Sequence, residues 1–376
     1  MRRSLKGIEN PIKKIDPILF CAVAVLSLIS IITVLGSVDN FGKSKLVMQI
    51  AMTLVGTLFT VVIANIDYRF FIDKLYIIMF AVSVLLMLLT LAFGSSGVSM
   101  ETANRSWLKI PIINIAIQPS EFIKITFLCT FSKHIDTVRE KINKPLVLLG
   151  LLAHAGVIVG LILLTGDLGV ALVYIGIILL MLFCAGLSAW YFVIGLAVII
   201  VAFPFLWDLL KPYQQSRIIY GFQPELDPLG YGMQPLMSRE AISQGGFFGK
   251  GFSEGGIYES LTASHTDFIF ATVCEKFGFV GGFLTVAAIV VLVVRCIYLG
   301  FRCRDNIGKL ICIGIAGFIM IQTAENLWMC LGLVPVVGIT LPFVSCGGSS
   351  LLATYMLVGL AHSVIACERR FKLSIG

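Results

Sequence analysis

The segment SHTDFIFATVCEKFGFVGGFLTVAAIVVLVV, residues 264–294, indicates the fold class because a polar run leads directly into a long apolar stretch. A helix of about 20 apolar residues crosses the hydrocarbon core of a bilayer, and the apolar stretch 268–294 is longer than that. Asp267 lies at the junction between the two parts. The segment therefore predicts a membrane helix that begins beside an ionisable side chain.

Similar apolar stretches recur along all 376 residues. The chain is 58% hydrophobic and 13% charged, with a mean hydropathy of +0.98, whereas soluble domains are about 45–50% apolar and about 25% charged. Such a chain cannot bury its apolar surface in one aqueous core, so we predict an all-α polytopic membrane protein with about ten transmembrane helices. The predicted spans are 17–36, 46–66, 75–94, 119–133, 146–164, 169–187, 189–210, 268–294, 310–334 and 342–366.

The distribution of Lys and Arg predicts the orientation. Ten spans place both termini on one side, and that side carries eighteen of the 28 basic residues while the opposite side carries eight. Basic loops stay in the cytoplasm, so we predict a single integral-membrane domain, 1–376, with cytoplasmic tails 1–16 and 367–376. A large extracytoplasmic loop, 211–266, joins spans 7 and 8, and segment 95–118 also faces outward. The net charge of +7 therefore reflects topology and does not indicate nucleic-acid binding.

The ten cysteines are expected to be free thiols. They all lie in predicted spans or cytoplasmic segments, none lies in the long outer loops, and no CxxC motif occurs. The N-terminal segment lacks the small-residue cleavage pattern of a signal peptide, so we expect it to be retained.

Four of the ionisable residues within or between the spans are singled out here, since an ionisable residue costs about 2.5–3.5 kcal/mol at a helix centre and so faces protein or water. Asp167 in TGDLG is either a helix N-cap or a functional group at a bend. Glu121 and Lys124 lie three residues apart on one helical face, which favours an internal ion pair just after a helix start at Pro119. Glu325 has no basic neighbour in sequence and can pair with Lys124 or form a neutral hydrogen bond to another helix.

The outer loop concentrates glycines and basic residues. Its GGFFGKGF segment is one residue short of the GxxxxGK phosphate loop, and Gly251 stands where that motif needs Ser or Thr. Because glycine has no side chain, the backbone of this loop can still approach an anionic headgroup beside Lys250 and Arg217. The structural alternative is a loop that needs positive φ angles.

Asp267 has two interpretations. Thr266 or Ser264 can cap the eighth span, which would place Asp267 in the first helical turn, where the helix dipole favours its ionised form. The functional interpretation is a general base at the outer membrane face, acting on a lipid-linked headgroup.

Several motifs occur in the order typical of one family: NRSWLKI, IQPSEFIK, GDLGVAL, YQQSRI, DPLGYG, GGFFGKGF, SHTDFIFATVCEKFG and PVVGITLPFVSCGGSS. On these motifs the chain resembles the SEDS family, the RodA/FtsW/SpoVE group of bacterial peptidoglycan polymerases, over residues 16–366. The motifs DPLGYG, GKGF and PVVG favour the RodA-like branch.

The resemblance implies a glycosyltransferase that polymerises lipid II at the outer face of the cytoplasmic membrane, in cell elongation or division, beside a class B penicillin-binding protein that crosslinks the strands. It implies a catalytic role for Asp267 and functional roles for Asp167 and Trp107, and it adds Ser345 and Ser349 as candidate substrate-binding residues.

Chemistry gives these residues roles. Forming a β-1,4 bond from an α-linked lipid pyrophosphate requires inversion, for which Asp267 would deprotonate the acceptor 4-hydroxyl. Arg217 and Lys250 are the candidates to stabilise the departing pyrophosphate. A divalent cation, Mg²⁺ or Mn²⁺, is an open option, although no dense carboxylate cluster demands one.

The chain departs from the family pattern in three motifs: TGDLG replaces QPDLG, LTASHTDF replaces LPExHTDF, and VSCGG replaces VSYGG. Two alternatives remain. A lipid-precursor flippase would need the buried charges and tolerate loss of Asp267, whereas a scaffold for a transpeptidase would keep its function after Asp267→Asn.

Overall fold

The computed structural model describes residues 15–95, 105–110, 115–209, 212–252 and 255–375. The predicted tail 1–16 therefore lies almost wholly outside the described residues, as does part of the outward-facing segment 95–118.

The described residues are overwhelmingly helical. Their α-helices are α1 (Pro17–Leu35), α2 (Val38–Phe41), α3 (Lys43–Asn65), α4 (Tyr68–Phe93), α5 (Pro119–Val138), α6 (Pro145–Leu164), α7 (Leu168–Cys184), α8 (Ala189–Leu209), α9 (Pro212–Phe222), α10 (Met233–Gln244), α11 (Ile269–Arg302), α12 (Asn306–Cys330) and α13 (Gly348–Ile375). Strands β1 (Leu108–Ile110) and β2 (Ile115–Ile117) form an antiparallel pair with Lys109 opposite Ala116.

Each of the ten predicted spans coincides with one helix. Seven of these helices, α1, α3, α4, α6, α11, α12 and α13, are long and apolar enough to cross a membrane, and α7 and α8 include shorter apolar helical segments. The tenth, α5, has 20 residues and carries the predicted charges. The prediction of an all-α polytopic membrane protein is confirmed.

Helices α12 and α13 form the centre of the bundle, since 78% and 89% of their most apolar windows are buried. Helix α12 packs against α5, α7, α11 and α13, while α13 also packs against α3 and α5. Gly56 of α3 faces the ring of Tyr355, and Gly359 of α13 faces the backbone of Thr60. Small residues let membrane helices approach closely. By contrast, most described side chains of α8 are exposed, so this helix lies at the periphery.

The ten cysteines are all described and all free, as predicted.

Helix α10, in the predicted outer loop, donates hydrogen bonds to carbonyl groups at the end of α12. The last carbonyl groups of a helix have no intrahelical partners. Ser238 Oγ donates to the carbonyl of Cys330 at 2.7 Å, and the Arg239 guanidinium donates to Leu331 at 2.7 Å and to Gly332 at 3.1 Å. The outer loop is thereby attached to the bundle beside the end of α12.

The glycine-rich segment 245–251 forms backbone hydrogen bonds with α11 at a break in that helix. Gly278 has φ 64° and ψ −159°, which interrupts the helical hydrogen bonds. The segment supplies the missing partners on both sides of the break. The hydrogen bonds run from Lys250 N–H to Glu275 C=O (2.9 Å), Gly251 N–H to Lys276 C=O (2.9 Å), Phe279 N–H to Gly246 C=O (2.8 Å) and Val280 N–H to Phe247 C=O (3.2 Å). Gly245 and Gly249 let the two backbones meet, because a Cβ on them would lie 1.9 Å from the Cys274 carbonyl oxygen and 2.1 Å from the Lys276 carbonyl oxygen.

Gly249 and Gly251 offer a matched test of this contact. Both have positive φ, +83° and +72°, but a Cβ on Gly249 would lie 2.1 Å from the Lys276 carbonyl oxygen, whereas a Cβ on Gly251 would meet nothing within 4 Å. Left-handed strain costs about 1–2 kcal/mol for either alanine, and overpacking adds about 1–3 kcal/mol for Gly249→Ala. We expect Gly249→Ala to lower the melting temperature in detergent clearly more than Gly251→Ala. Equal shifts would show that the close contact does not contribute.

Candidate functional site

Asp267 lies just before α11, not inside its first turn. The helix begins at Ile269, its N-cap is Phe268, and no side chain caps it. The prediction that Thr266 or Ser264 is the cap is therefore wrong. The physical reason is a turn at Ala263, which has φ 58°, because it directs the Thr266 hydroxyl back to the Ala263 carbonyl at 3.3 Å.

The chain that follows α12, residues 331–347, faces this turn and is called the site loop here. A Cβ on Gly338 would lie 3.5 Å from Asp267 Oδ2. Asn326, near the end of α12, donates to the Asp267 carbonyl at 2.7 Å, and Ser345 of the site loop donates to the Thr266 carbonyl at 2.6 Å. Asp267 is therefore held between the start of α11 and the site loop.

The environment of Asp267 favours a carboxyl group that exchanges protons near neutral pH. The side chain is half-buried, and burial raises its pKa to about 6 from an ordinary value of 3.8. A hydrogen bond from the Thr266 side chain opposes that rise, and the negative charge of Asp167 adds to it. A carboxylate of this kind suits a general base, because its pKa lies close to physiological pH.

Asp167 caps α7, and its carboxylate also binds a second residue. Its Oδ1 accepts from the Val170 N–H at 3.2 Å, which confirms the N-cap interpretation, and its Oδ2 accepts from Gln118 Nε2 at 2.7 Å. The Gln118 N–H in turn donates to Ser349 Oγ at 3.2 Å. Asp167 and Ser349 are thus connected through one residue, Gln118.

Glu121 and Lys124 form the buried ion pair predicted from their spacing. The Lys124 ammonium lies 2.8 Å from Glu121 Oε2, and both side chains are nearly inaccessible, at 2% for lysine and 4% for glutamate. Lys124 also donates to Gln322 Oε1 at 3.0 Å, and Gln322 Nε2 donates to the Thr340 carbonyl at 3.0 Å. The pair is therefore joined to the site loop.

Glu325 is not found in either predicted arrangement. Lys124 is paired with Glu121, and within the described part of the chain Glu325 Oε2 is buried without a hydrogen-bond partner. The residue precedes Asn326, so it lies on α12 close to the level of the site.

Apart from Ser349, which lies beside Gln118, the candidate binding residues lie in three places. Arg217 of α9 donates to the Val336 carbonyl of the site loop at 2.9 Å, so it lies on the site loop with Ser345. Lys250 is 3.3 Å from Glu275 Oε1, about two turns of α11 beyond Asp267. Trp107 is half-buried and pairs with Ser95 just after the C-terminal end of α4, where the Ser95 N–H donates to its carbonyl at 2.8 Å.

Sequence reasoning missed the amide side chains of the site, namely Gln118, Gln322 and Asn326. It searched the spans for ionisable residues only. An amide in an apolar span is equally informative, since buried polar groups are almost always hydrogen-bonded. Gln322 and Asn326 lie in α12, one turn apart, and both bond to the site loop.

Metal ligands are few at this site. No group of three or more His, Cys, Asp or Glu side chains suited to a metal ion occurs among the residues that the structure describes. Among the described residues, Asp167 carries a carboxylate whose charge acts on Asp267.

The fold and this site match one family of known proteins. The family model described as Cell cycle protein, FtsW/RodA/SpoVE, matches residues 14–370. The chain is 34% identical over 326 residues to a probable peptidoglycan glycosyltransferase FtsW of Trichlorobacter lovleyi, covering 85% of this chain and 82% of the relative. It is 30% identical over 384 residues to the peptidoglycan glycosyltransferase MrdB of Escherichia coli K12, covering 98% of this chain and 100% of that protein.

A solved structure of a peptidoglycan synthase complex, in which polymerization and crosslinking are coordinated, contains a similar chain. That chain has a TM-score of 0.80 and 28% identity, with 94% of this chain and 98% of the other covered. The protein is thus a polytopic membrane protein with the architecture of a peptidoglycan synthase subunit. It belongs to the FtsW/RodA/SpoVE family, as the motifs predicted.

Proposed function

We propose that this protein is a peptidoglycan glycosyltransferase that polymerises lipid II into glycan strands at the outer face of the bacterial cytoplasmic membrane. The observation that carries the proposal is Asp267, a half-buried carboxylate that is held by its backbone where α11 begins and whose pKa is raised to about 6. The names of the FtsW and MrdB relatives support the same activity.

Asp267 acts as the general base of an inverting transfer. One carboxylate oxygen accepts the proton of the acceptor sugar 4-hydroxyl. At the same time the 4-hydroxyl oxygen attacks the anomeric carbon of the donor, and the bond from that carbon to the lipid pyrophosphate breaks. A positioned base contributes about 10²–10⁴-fold in rate.

Arg217 stabilises the negative charge that develops on the departing pyrophosphate. Its place on the site loop supports this role, because a guanidinium has five N–H donors and binds phosphate oxygens well. Lys250 is the weaker candidate, since it is bonded to Glu275 and Gln244 beside the break in α11. A divalent cation, Mg²⁺ or Mn²⁺, is a further candidate to share this task, although no group of three or more metal-ligating side chains occurs in the part of the chain that the structure describes.

Both termini are proposed to lie in the cytoplasm, which is supported by the excess of basic residues on their side. The partner is a class B penicillin-binding protein, which is supported by the coordination of polymerization and crosslinking in the similar complex.

Relatives named FtsW and MrdB have comparable identities to this chain, 34% and 30%, so the assignment to the RodA-like branch rests on sequence motifs.

The direct test is synthesis by the purified protein. Given labelled lipid II in detergent, it is expected to form glycan polymer that is resolved on a gel. Failure to form polymer, even with a class B transpeptidase added, would contradict the proposal and favour the flippase or the scaffold.

The pH dependence of the reaction tests Asp267 specifically. Since the base must be ionised, kcat/KM is expected to fall about tenfold per pH unit below pH 6 and to be level above it. His265, two residues away, does not account for this step, because burial, with a smaller effect of the Lys45 charge, lowers its pKa to about 4. Measuring polymerisation between pH 4.5 and 8 checks the prediction. A profile without an inflection near pH 6 would contradict it.

A further inference from the structure

Three consecutive carbonyl groups before α11 are bound by residues outside that helix. The donors are Cys346 N–H to the carbonyl of His265 (2.9 Å), Ser345 Oγ to that of Thr266 (2.6 Å) and Asn326 Nδ2 to that of Asp267 (2.7 Å). Two of these donors belong to the site loop and one belongs to α12. The backbone that carries Asp267 is therefore attached to two other elements at successive residues.

The two side chains of this set are buried, and each makes a second bond to the site loop. Asn326 is 0% exposed, and its Nδ2 also donates to the Ile339 carbonyl at 2.6 Å. Ser345 is 2% exposed, and its Oγ accepts from the Leu341 N–H at 2.7 Å. Both residues thus join the Asp267 turn to the site loop.

The direction of the Asp267 carboxylate depends strongly on this backbone. Its side-chain hydrogen bond is made with the adjacent Thr266, which belongs to the same turn and moves with it. A turn that shifts by about 1 Å carries the carboxylate with it, and a misplacement of that size costs on the order of 10²-fold in rate.

We propose that Asn326 and Ser345 are positioning residues that orient the Asp267 carboxylate by binding the carbonyl groups of its turn. This inference rests on the proposed role of Asp267 as the base. It also assigns Ser345 a role different from substrate binding, because both hydrogen-bonding functions of its hydroxyl are directed to backbone groups.

The test compares Ser345→Ala and Asn326→Leu with the wild type and with Thr285→Val. Thr285 is a matched control because it is equally buried and its hydroxyl donates to the Gly281 carbonyl at 2.8 Å, well along α11 from the turn. We expect kcat to fall about 10- to 100-fold in Ser345→Ala and in Asn326→Leu, with KM for lipid II within about twofold of the wild type. Thr285→Val is expected to keep the wild-type rate.

The pH profile separates positioning from a general loss of folded protein. A turn that is no longer held exposes Asp267 to water, so the midpoint of kcat/KM is expected to move below 6 in both variants. Wild-type kcat in both variants would overturn the proposal. A loss of rate with an unchanged midpoint, matched by an equal loss of folded protein in size-exclusion chromatography, would overturn it as well.

Asp267→Asn, measured in the same assay, distinguishes the two proposals. If Asp267→Asn is inactive while Ser345→Ala and Asn326→Leu are fully active, only the positioning role is wrong. If Asp267→Asn polymerises lipid II at the wild-type rate, Asp267 is not the general base, and the positioning role proposed for Asn326 and Ser345 is wrong as well.

Discussion

Replacing Asp267 by asparagine is expected to lower the rate of glycan polymerisation by about 10²–10⁴-fold, the contribution of a positioned general base. Asparagine has nearly the same shape and leaves in place the bond from Asn326 to the carbonyl of residue 267 and the bond from Ser345 to the Thr266 carbonyl, so only the proton acceptor is removed. The measurement is the initial rate of polymer formation from labelled lipid II by the purified variant.

The stability of the same variant provides a control, because the folded pKa of Asp267 lies above its ordinary value of 3.8. Folding then favours the protonated carboxyl, and this stabilisation is present below about pH 4 and lost as the pH rises through about 6. At neutral pH the buried negative charge opposes folding, so Asp267→Asn is expected to melt at the same or a higher temperature.

A second control is Asp39→Asn, which changes an exposed aspartate of α2 in the same way. It is expected to leave the rate unchanged. If Asp267→Asn retains most of the activity in well-folded protein, Asp267 is a structural residue at the start of α11 and the mechanism must use another base.

Replacing Lys124 by methionine is expected to destabilise the protein by about 3–5 kcal/mol, the typical result of breaking a buried ion pair by removing one partner. The change leaves the Glu121 carboxylate without its cation at 4% exposure and removes the bond to Gln322. Thermal unfolding in detergent measures the effect.

Lys133→Met is the matched control on the same helix. Lys133 pairs with Asp73 at 3.0 Å, but the two side chains are 28% and 61% exposed. An exposed pair contributes about 0–1 kcal/mol, because solvent screens it. Equal destabilisation by the two substitutions would contradict the importance of burial.

The double variant Glu121→Gln/Lys124→Met removes both charges and is expected to recover much of the lost stability. It also separates two functions. A polymerase that depends on Asp267 is expected to retain polymer formation in the folded double variant, whereas a flippase that moves charge through the bundle would lose transport. Lipid II polymerisation and lipid II translocation in liposomes are the two assays.

Short-range patterns were enough to predict the elements. Span length and composition predicted the ten long helices, Pro119 marked the start of α5, and the i,i+3 spacing of Glu121 and Lys124 predicted their bond. Asp167 before an apolar run predicted the cap of α7. The cap and the ion pair depend on residues within one or two helical turns, and each span depends on one continuous stretch of chain, so the chain itself contains the needed geometry.

The contacts of the site could not be predicted in this way. The Lys124 to Gln322 bond joins residues 198 positions apart, and the Gln118 N–H to Ser349 bond joins residues 231 positions apart. The start of α11 was also misjudged, because the Ala263 turn and the partners of Thr266 and Asp267 in the site loop decide where that helix begins.

The sequence by itself determined that this chain is an all-α membrane protein of the FtsW/RodA/SpoVE family, because hydropathy and motif order are local properties of the chain. Only the tertiary structure decided how Asp267 is held, why segment 245–251 is rich in glycine, and which partners the buried charges take. The physical reason is that buried polar groups must find hydrogen-bond partners wherever packing brings them, and packing depends on the whole bundle.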